Sequence, residues 1–152
     1  MQTGLEGRQS RPQRRPVRPR VVLAAVDNSD LAVPVIEAAA EHARLRGWRL
    51  VVVTVIPVSA TRDLGEGGRL GGEFAAQDDA LQIIDRVQPT LDASEVANQV
   101  LVRGYLARGG PRRQARRVAC TVLRVADEVE VAMIVVGRRR GSRRPVHASQ
   151  PA

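Results

Sequence analysis

Three segments of this chain are apolar at almost every position: Val21–Val26, the stretch 50–57 with Thr54 as its polar exception, and Val131–Val136. A strand reads this way when both its faces are covered, as in a parallel sheet held between layers of helix. Between these runs the apolar residues recur three and four apart, the spacing of one helix face. Leu31, Val35, Ile36, Ala39 and Ala43 predict a helix that ends at Arg46, before Gly47. Asn28, Ser29 and Asp30 stand ahead of it as capping side chains, and Pro34 is tolerable in its first turn. Ala76, Ala80, Leu81, Ile83, Ile84 and Val87 predict a second helix over 73–88, stopped by Pro89. Ala115, Val118, Ala119, Val122, Leu123 and Ala126 predict a third, opening at Pro111 or Arg112. Its opposite face carries Arg112, Arg113, Arg116, Arg117 and Arg124. A short strand is expected over 99–103, and loops over 59–72 and 105–110.

The order is therefore β-α-β-α-β-α-β. Right-handed crossovers then give an α/β fold, a three-layer α/β/α sandwich around a mostly parallel sheet of about four strands. In such sheets ligands sit beyond the carboxyl ends of the strands. Asp27 ends the first apolar run and Gly137 ends the last, so these two are the first candidates for a site.

Composition sharpens this picture. A chain of 152 residues is one domain with room for a real core. Its only aromatic residues are Trp48, Phe74 and Tyr105, so Val, Leu, Ile and Ala must fill that core. The single cysteine, Cys120, excludes an intrachain disulfide and a multi-cysteine metal site. It adjoins the apolar stripe of the third helix and is expected to be packed and inert. His42 and His147 lie far apart, and no metal site is recognised. No apolar stretch reaches the length of a membrane span, and the charged amino terminus lacks a secretory apolar run. A soluble cytoplasmic protein is expected.

The formal charge of +8 is unevenly placed. Residues 1–20 carry six Arg against one Glu, and residues 138–152 carry five Arg and no acid. The body between them, with thirteen Arg and fifteen acids, is mildly acidic. All 24 basic side chains are Arg, a uniformity that reads more simply as compositional bias than as a binding surface. Residues 1–20, rich in Pro and Arg, are expected to be a disordered tail, residues 21–142 the folded domain, and residues 143–152 a flexible tail. Several chemistries fail on inspection. A Walker phosphate loop needs a lysine, and the chain has none. The first strand is followed by Asp-Asn-Ser-Asp-Leu, not by a Rossmann glycine fingerprint, and no Gly-x-Ser-x-Gly elbow occurs.

The segments VVLAAVDNS, EAAAEHARLRG, LVVVTVIPV and VEVAMIVVGRRRGS resemble the universal stress protein family in both character and order, over roughly residues 20–142. The most specific part is an aspartate ending the first strand combined with a glycine ending the fourth. The resemblance implies an adenine nucleotide alpha hydrolase-like fold, frequent dimers, and ATP or AMP bound without conventional catalysis. It sets Ala25 and Asp27 beside adenine and ribose, Val55 against the nucleotide, and Val136 and Gly137 at the turn toward the phosphates. A carboxylate accepts hydrogen bonds from ribose hydroxyls, and a glycine admits close approach of backbone amides to phosphate. Beyond Gly137 the chain departs from the family pattern: Arg140 stands where a second glycine is expected, and Gly141 and Ser142 come one step late. The distal Gly-Ser and the final strand are missing from this stretch of sequence. Arg138, Arg139 and Arg140 offer charge in place of the cradle.

The expectation is a non-catalytic, adenine-nucleotide-binding or regulatory module of stress responses, and a possible homodimer. The alternatives are a diverged protein-interaction module that has lost nucleotide, and a polyanion or nucleic-acid binder working through its Arg-rich ends. Nucleic acid is the least favoured partner, because readers of single strands usually stack bases on aromatic side chains.

Overall fold

The computed structural model describes residues 20–58 and 68–138, with residues 68–76 described by their backbone alone. Apart from Arg20, whose carbonyl accepts from the Arg49 backbone N–H at 3.0 Å, the two terminal tails expected from composition lie outside these residues. Among the described residues the elements run β1 (Val21–Val26), α1 (Ala32–Arg46), β2 (Arg49–Val58), α2 (Gly68–Ala93), β3 (Asn98–Leu106), α3 (Pro111–Glu128) and β4 (Val131–Val136). The strands form one sheet in the order β3-β2-β1-β4, every neighbouring pair parallel. The three-layer α/β fold read from the pattern is the fold observed.

The apolar runs of β1 and β2 have become strands with two covered faces, whereas β4, expected to be covered in the same way, leaves Ala132, Ile134 and Val136 exposed because it pairs on one side alone among the described strands. Val22, Ala24 and Val26 of β1 and Leu50, Val52 and Ile56 of β2 pack with α1 and α2. Val21, Leu23, Val51 and Val53 pack on the other face with Val122, Val125 and Ala126 of α3. Leu23, Ile36, Leu50 and Leu91 are completely enclosed. Burying one such side chain contributes about 1.5–3 kcal/mol relative to leaving it in water. Gly47 ends α1 in the left-handed conformation at φ 61°, and the backbone N–H of Trp48 donates to the Ala43 carbonyl at 2.9 Å. That is the usual exit from a helix, and glycine meets it without steric cost.

The second helix differs from expectation at both ends. It continues through Pro89 to Ala93 instead of stopping there. Proline removes one helical hydrogen bond and crowds the preceding turn, at about 3 kcal/mol. The carbonyl that loses its helical partner belongs to Asp85, an exposed residue of the helix. Two residues on from the proline, Leu91 is buried to 1% exposure, a gain of comparable size. The helix also begins at Gly68, so part of the expected 59–72 loop is helical; residues 59–67 lie outside the description. Glycine lowers helix propensity without forbidding the conformation.

Strand β3 runs past the expected 103 to Leu106, so Tyr105 and Leu106 belong to the ladder and not to a loop. The extension follows β2, which itself reaches Val58, and Val58 pairs with Leu106. The helix faces also need correction. Leu81 and Leu123 were expected inward, yet they are 49% and 56% exposed. Ala115 and Ala119 are exposed too. The face of α3 that packs is Val118, Val122 and Val125, one step around from half of the expected stripe. Cys120, expected to be packed, is exposed for the same reason.

Candidate functional site

The chain leaves β1 toward β2 on one side and returns to β4 on the other, so the strand order reverses between β1 and β4. Two crossovers leave in opposite directions there and open a gap at the carboxyl end of the sheet, the usual ligand position in this architecture. A crevice of about 210 Å³ occupies this place. Of the expected contact residues, Ala25, Asp27, Val55, Val136 and Gly137 all line it. Register explains the grouping, because Ala25 stands opposite Val53 on β2 and Val136 on β4. Arg140, Gly141 and Ser142 lie outside the described residues.

Local hydrogen bonding shapes the rim. The carboxylate of Asp27 accepts from the Ser29 backbone N–H at 3.1 Å. The Ser29 hydroxyl accepts in turn from the Leu31 N–H at 3.3 Å. Asn28 and Asp30 make no cap of α1, whose N-cap residue is Leu31 with no side-chain cap bond. The expected trio of capping side chains thus reduces to Ser29, ahead of the helix. Asp27 fixes the turn and also faces the crevice. A carboxylate has about four lone-pair positions, so the bond from Ser29 leaves capacity for a ligand.

Gly137 also meets a packing need. A side chain there would press on the first turns of α1, within 3.1 Å of the Leu31 Cβ and of Val35 Cγ2. The glycine lets the end of β4 close against α1, and so sets the width of the crevice.

Some site residues escaped the sequence reading. Leu31, Ala32 and Val35 of α1 and Val118 and Val122 of α3 furnish its apolar walls. Arg86 of α2 donates to the carbonyls of Asn28 and Ser29 at 3.3 and 3.4 Å, clamping the turn that carries Asp27. The periodicity of α2 marks Arg86 only as a polar position. Among the described residues no group of three or more His, Cys, Asp or Glu is placed to hold a metal.

The geometry defines an α/β protein with one carboxylate at a largely apolar crevice on the topological switch point. The profile of the universal stress protein family matches residues 19–147, and the chain belongs to that family. Comparison with curated proteins finds no match. Among solved structures, the fold is similar to universal stress protein UspA from Lactobacillus plantarum, with a TM-score of 0.58 and 17% identity over 89% of this chain and 87% of that one. It is also similar to a universal stress protein family member from Burkholderia pseudomallei, with a TM-score of 0.55 and 23% identity over 78% and 80% of the two chains. A third similar structure is a universal stress protein in complex with cAMP, at a TM-score of 0.51 and 18% identity, covering 78% of this chain and 75% of that one.

Proposed function

We propose that this protein binds an adenine mononucleotide in the crevice between β1 and β4 and acts as a non-catalytic regulatory module in a stress response. The observation that carries the reading is the meeting of Ala25, Asp27, Val55, Val136 and Gly137 in one crevice at the switch point. The apolar walls suit the face of a purine, and Asp27 suits a ribose hydroxyl or the adenine amine. A volume of 210 Å³ lies below the roughly 300–1,000 Å³ of a site that encloses a drug-sized ligand. That space suits a base and part of a sugar, with the phosphates of the nucleotide reaching out of it. The cAMP held by one protein of similar fold supports the same class of ligand. Asp27 is the only ionisable residue lining the crevice among those described, and general acid–base catalysis usually pairs a proton donor with an acceptor. That supports binding without turnover.

Calorimetric titration with AMP, cAMP and ATP tests the reading. Heat with a Kd below about 1 mM, and nucleotide recovered chemically intact, is the expected result. Absence of heat with all three at that concentration rejects it.

A second reading, a homodimer, has its own observation. Among the described strands β4 lies at the edge, and Ile134 and Val136 on it are 37% and 61% exposed, as is Leu123 of α3 at 56%. An apolar open edge is a ready template for strand pairing, and a second copy offers the same surface. Sedimentation of the protein and of Ile134→Glu distinguishes the cases: a dimer that the substitution dissociates supports the reading, and a monomeric parent protein rejects it.

A further inference from the structure

A second concave surface lies between α3 and the end of β3, and it shares no lining residue with the Asp27 crevice. It has a volume of about 540 Å³ and is lined by Gly104, Tyr105, Leu106, Arg113, Arg116, Arg117, Cys120, Thr121 and Arg124. Four of these side chains are cationic, and no carboxylate is among them. Glu128, an acid on the same helix, is engaged elsewhere, in an ion pair with Arg103 at 3.3 Å. Arg117 is fixed by donating to the Leu106 carbonyl. Helical spacing sets Arg113, Arg116, Arg117 and Arg124 along one face over about 16 Å, since each residue rises about 1.5 Å. The arrangement opposes the helix's own electrostatics. Arg112 and Arg113 stand in the first turn, where the macrodipole disfavours cations, and Arg113 and Arg117 are like charges one turn apart. A bound anion relieves both conflicts.

We infer that this groove binds the backbone of a single-stranded nucleic acid, with phosphates along the arginine row of α3 and a base on Tyr105. The length of the row suits successive phosphates and exceeds what one mononucleotide spans. Tyr105, the only tyrosine in the chain, is half-buried beside the arginines and supplies an aromatic face for stacking. An inorganic polyphosphate would use the arginines and have no use for the ring. The site is independent of nucleotide binding at Asp27.

The test measures binding of the whole protein to a labelled oligothymidylate of about ten nucleotides, within the site size of one small single-strand-binding domain. The triple variant Arg113→Gln, Arg116→Gln, Arg124→Gln leaves Arg117 on its carbonyl and is expected to weaken binding at least tenfold at low salt. It also lowers the slope of log K against log salt by about 2, near 0.7 per lost phosphate contact. The matching triple Arg→Lys variant retains most of the affinity. Tyr105→Leu weakens the oligonucleotide several-fold and leaves polyphosphate binding unchanged. Three outcomes overturn the inference. One is an unchanged affinity in the triple Gln variant. Another is an equal loss when Arg11, Arg14 and Arg15 of the amino-terminal segment are replaced by Gln instead, which would mark a net-charge effect. The third is polyphosphate bound as tightly as the oligonucleotide, with no effect of Tyr105→Leu on either.

Discussion

Gly137 at the end of β4 rests against Leu31 at the start of α1, so closely that a Cβ on the glycine would come within 3.1 Å of the leucine's Cβ. Because the contact is to a Cβ, rotation of the leucine side chain does not relieve it. The variant Gly137→Ala is therefore expected to force β4 and α1 apart, at about 1–3 kcal/mol. Thermal unfolding reads this as a lower Tm, and an unchanged Tm would mean that the two elements give way more easily than this packing implies.

Asp27 has two separable duties. Asp27→Ala removes the acceptor for the Ser29 N–H, with an expected loss of about 1 kcal/mol in denaturant unfolding, and it also abolishes measurable nucleotide binding. Asp27→Asn keeps an oxygen for Ser29 but loses the charge, so it should unfold like the parent protein and bind nucleotide more weakly. Equal nucleotide affinity in the parent protein and the Ala variant would remove Asp27 from the site.

Arg86 acts on the site from outside it. Its guanidinium holds two carbonyls of the turn that carries Asp27, and it does not line the crevice. Arg86→Ala is expected to loosen that turn and cost about 1 kcal/mol of binding, roughly fivefold in Kd. The crevice walls stay as they are, so the change should fall equally on AMP and cAMP. A loss confined to one of them would point to direct contact with the ligand.

Thr54 is the polar exception in the apolar run of β2, and the structure gives no compensation for it. The residue is 1% exposed, and its hydroxyl has no hydrogen-bond partner. A buried hydroxyl without a partner costs about 1–3 kcal/mol, and valine has nearly the same shape. Thr54→Val should raise the Tm, and a fall would show that the hydroxyl does find a partner in solution.

Cys120 is exposed on α3. Ellman's reagent should therefore titrate one thiol per chain in the native protein, without denaturant. A thiol that reacts only after unfolding would restore the packed position that the helical stripe suggested.

The strands and their order were legible because β1 and β2 are covered on both faces, and an unbroken apolar run of six to eight residues fits little else than a strand between two helical layers. The crevice was legible for a related reason: Asp27 and Gly137 directly follow such runs, and parallel topology brings strand ends together. Helix orientation was read less well. In α3, Ala115, Ala119 and Leu123 form a stripe as regular as Val118, Val122 and Val125, and only the position of the sheet decides which of them packs. Pro89 misled because its local cost is plain in the sequence, whereas the offsetting burial of Leu91 depends on tertiary contacts. Arg86 reaches carbonyls 57 and 58 residues away along the chain, a distance at which local patterning carries no information.

The strand order also bears on how the molecule assembles and breathes. The first three strands are laid down side by side, from β1 outward to β3. The chain must then travel along α3 back across the sheet before β4 can dock, and β4 finds a neighbour only in β1 among the described strands. Such a distant pairing closes late, because its loop entropy is met before any contact rewards it. Elements of this kind are the first to detach in native-state fluctuations. Since β4 forms one wall of the Asp27 crevice, its release dismantles the pocket and leaves β1, β2 and β3 intact. A ligand held there should slow deuterium uptake most at the amides of 131–137, far more than at those of β2, and so convert the least secure strand into one of the best protected.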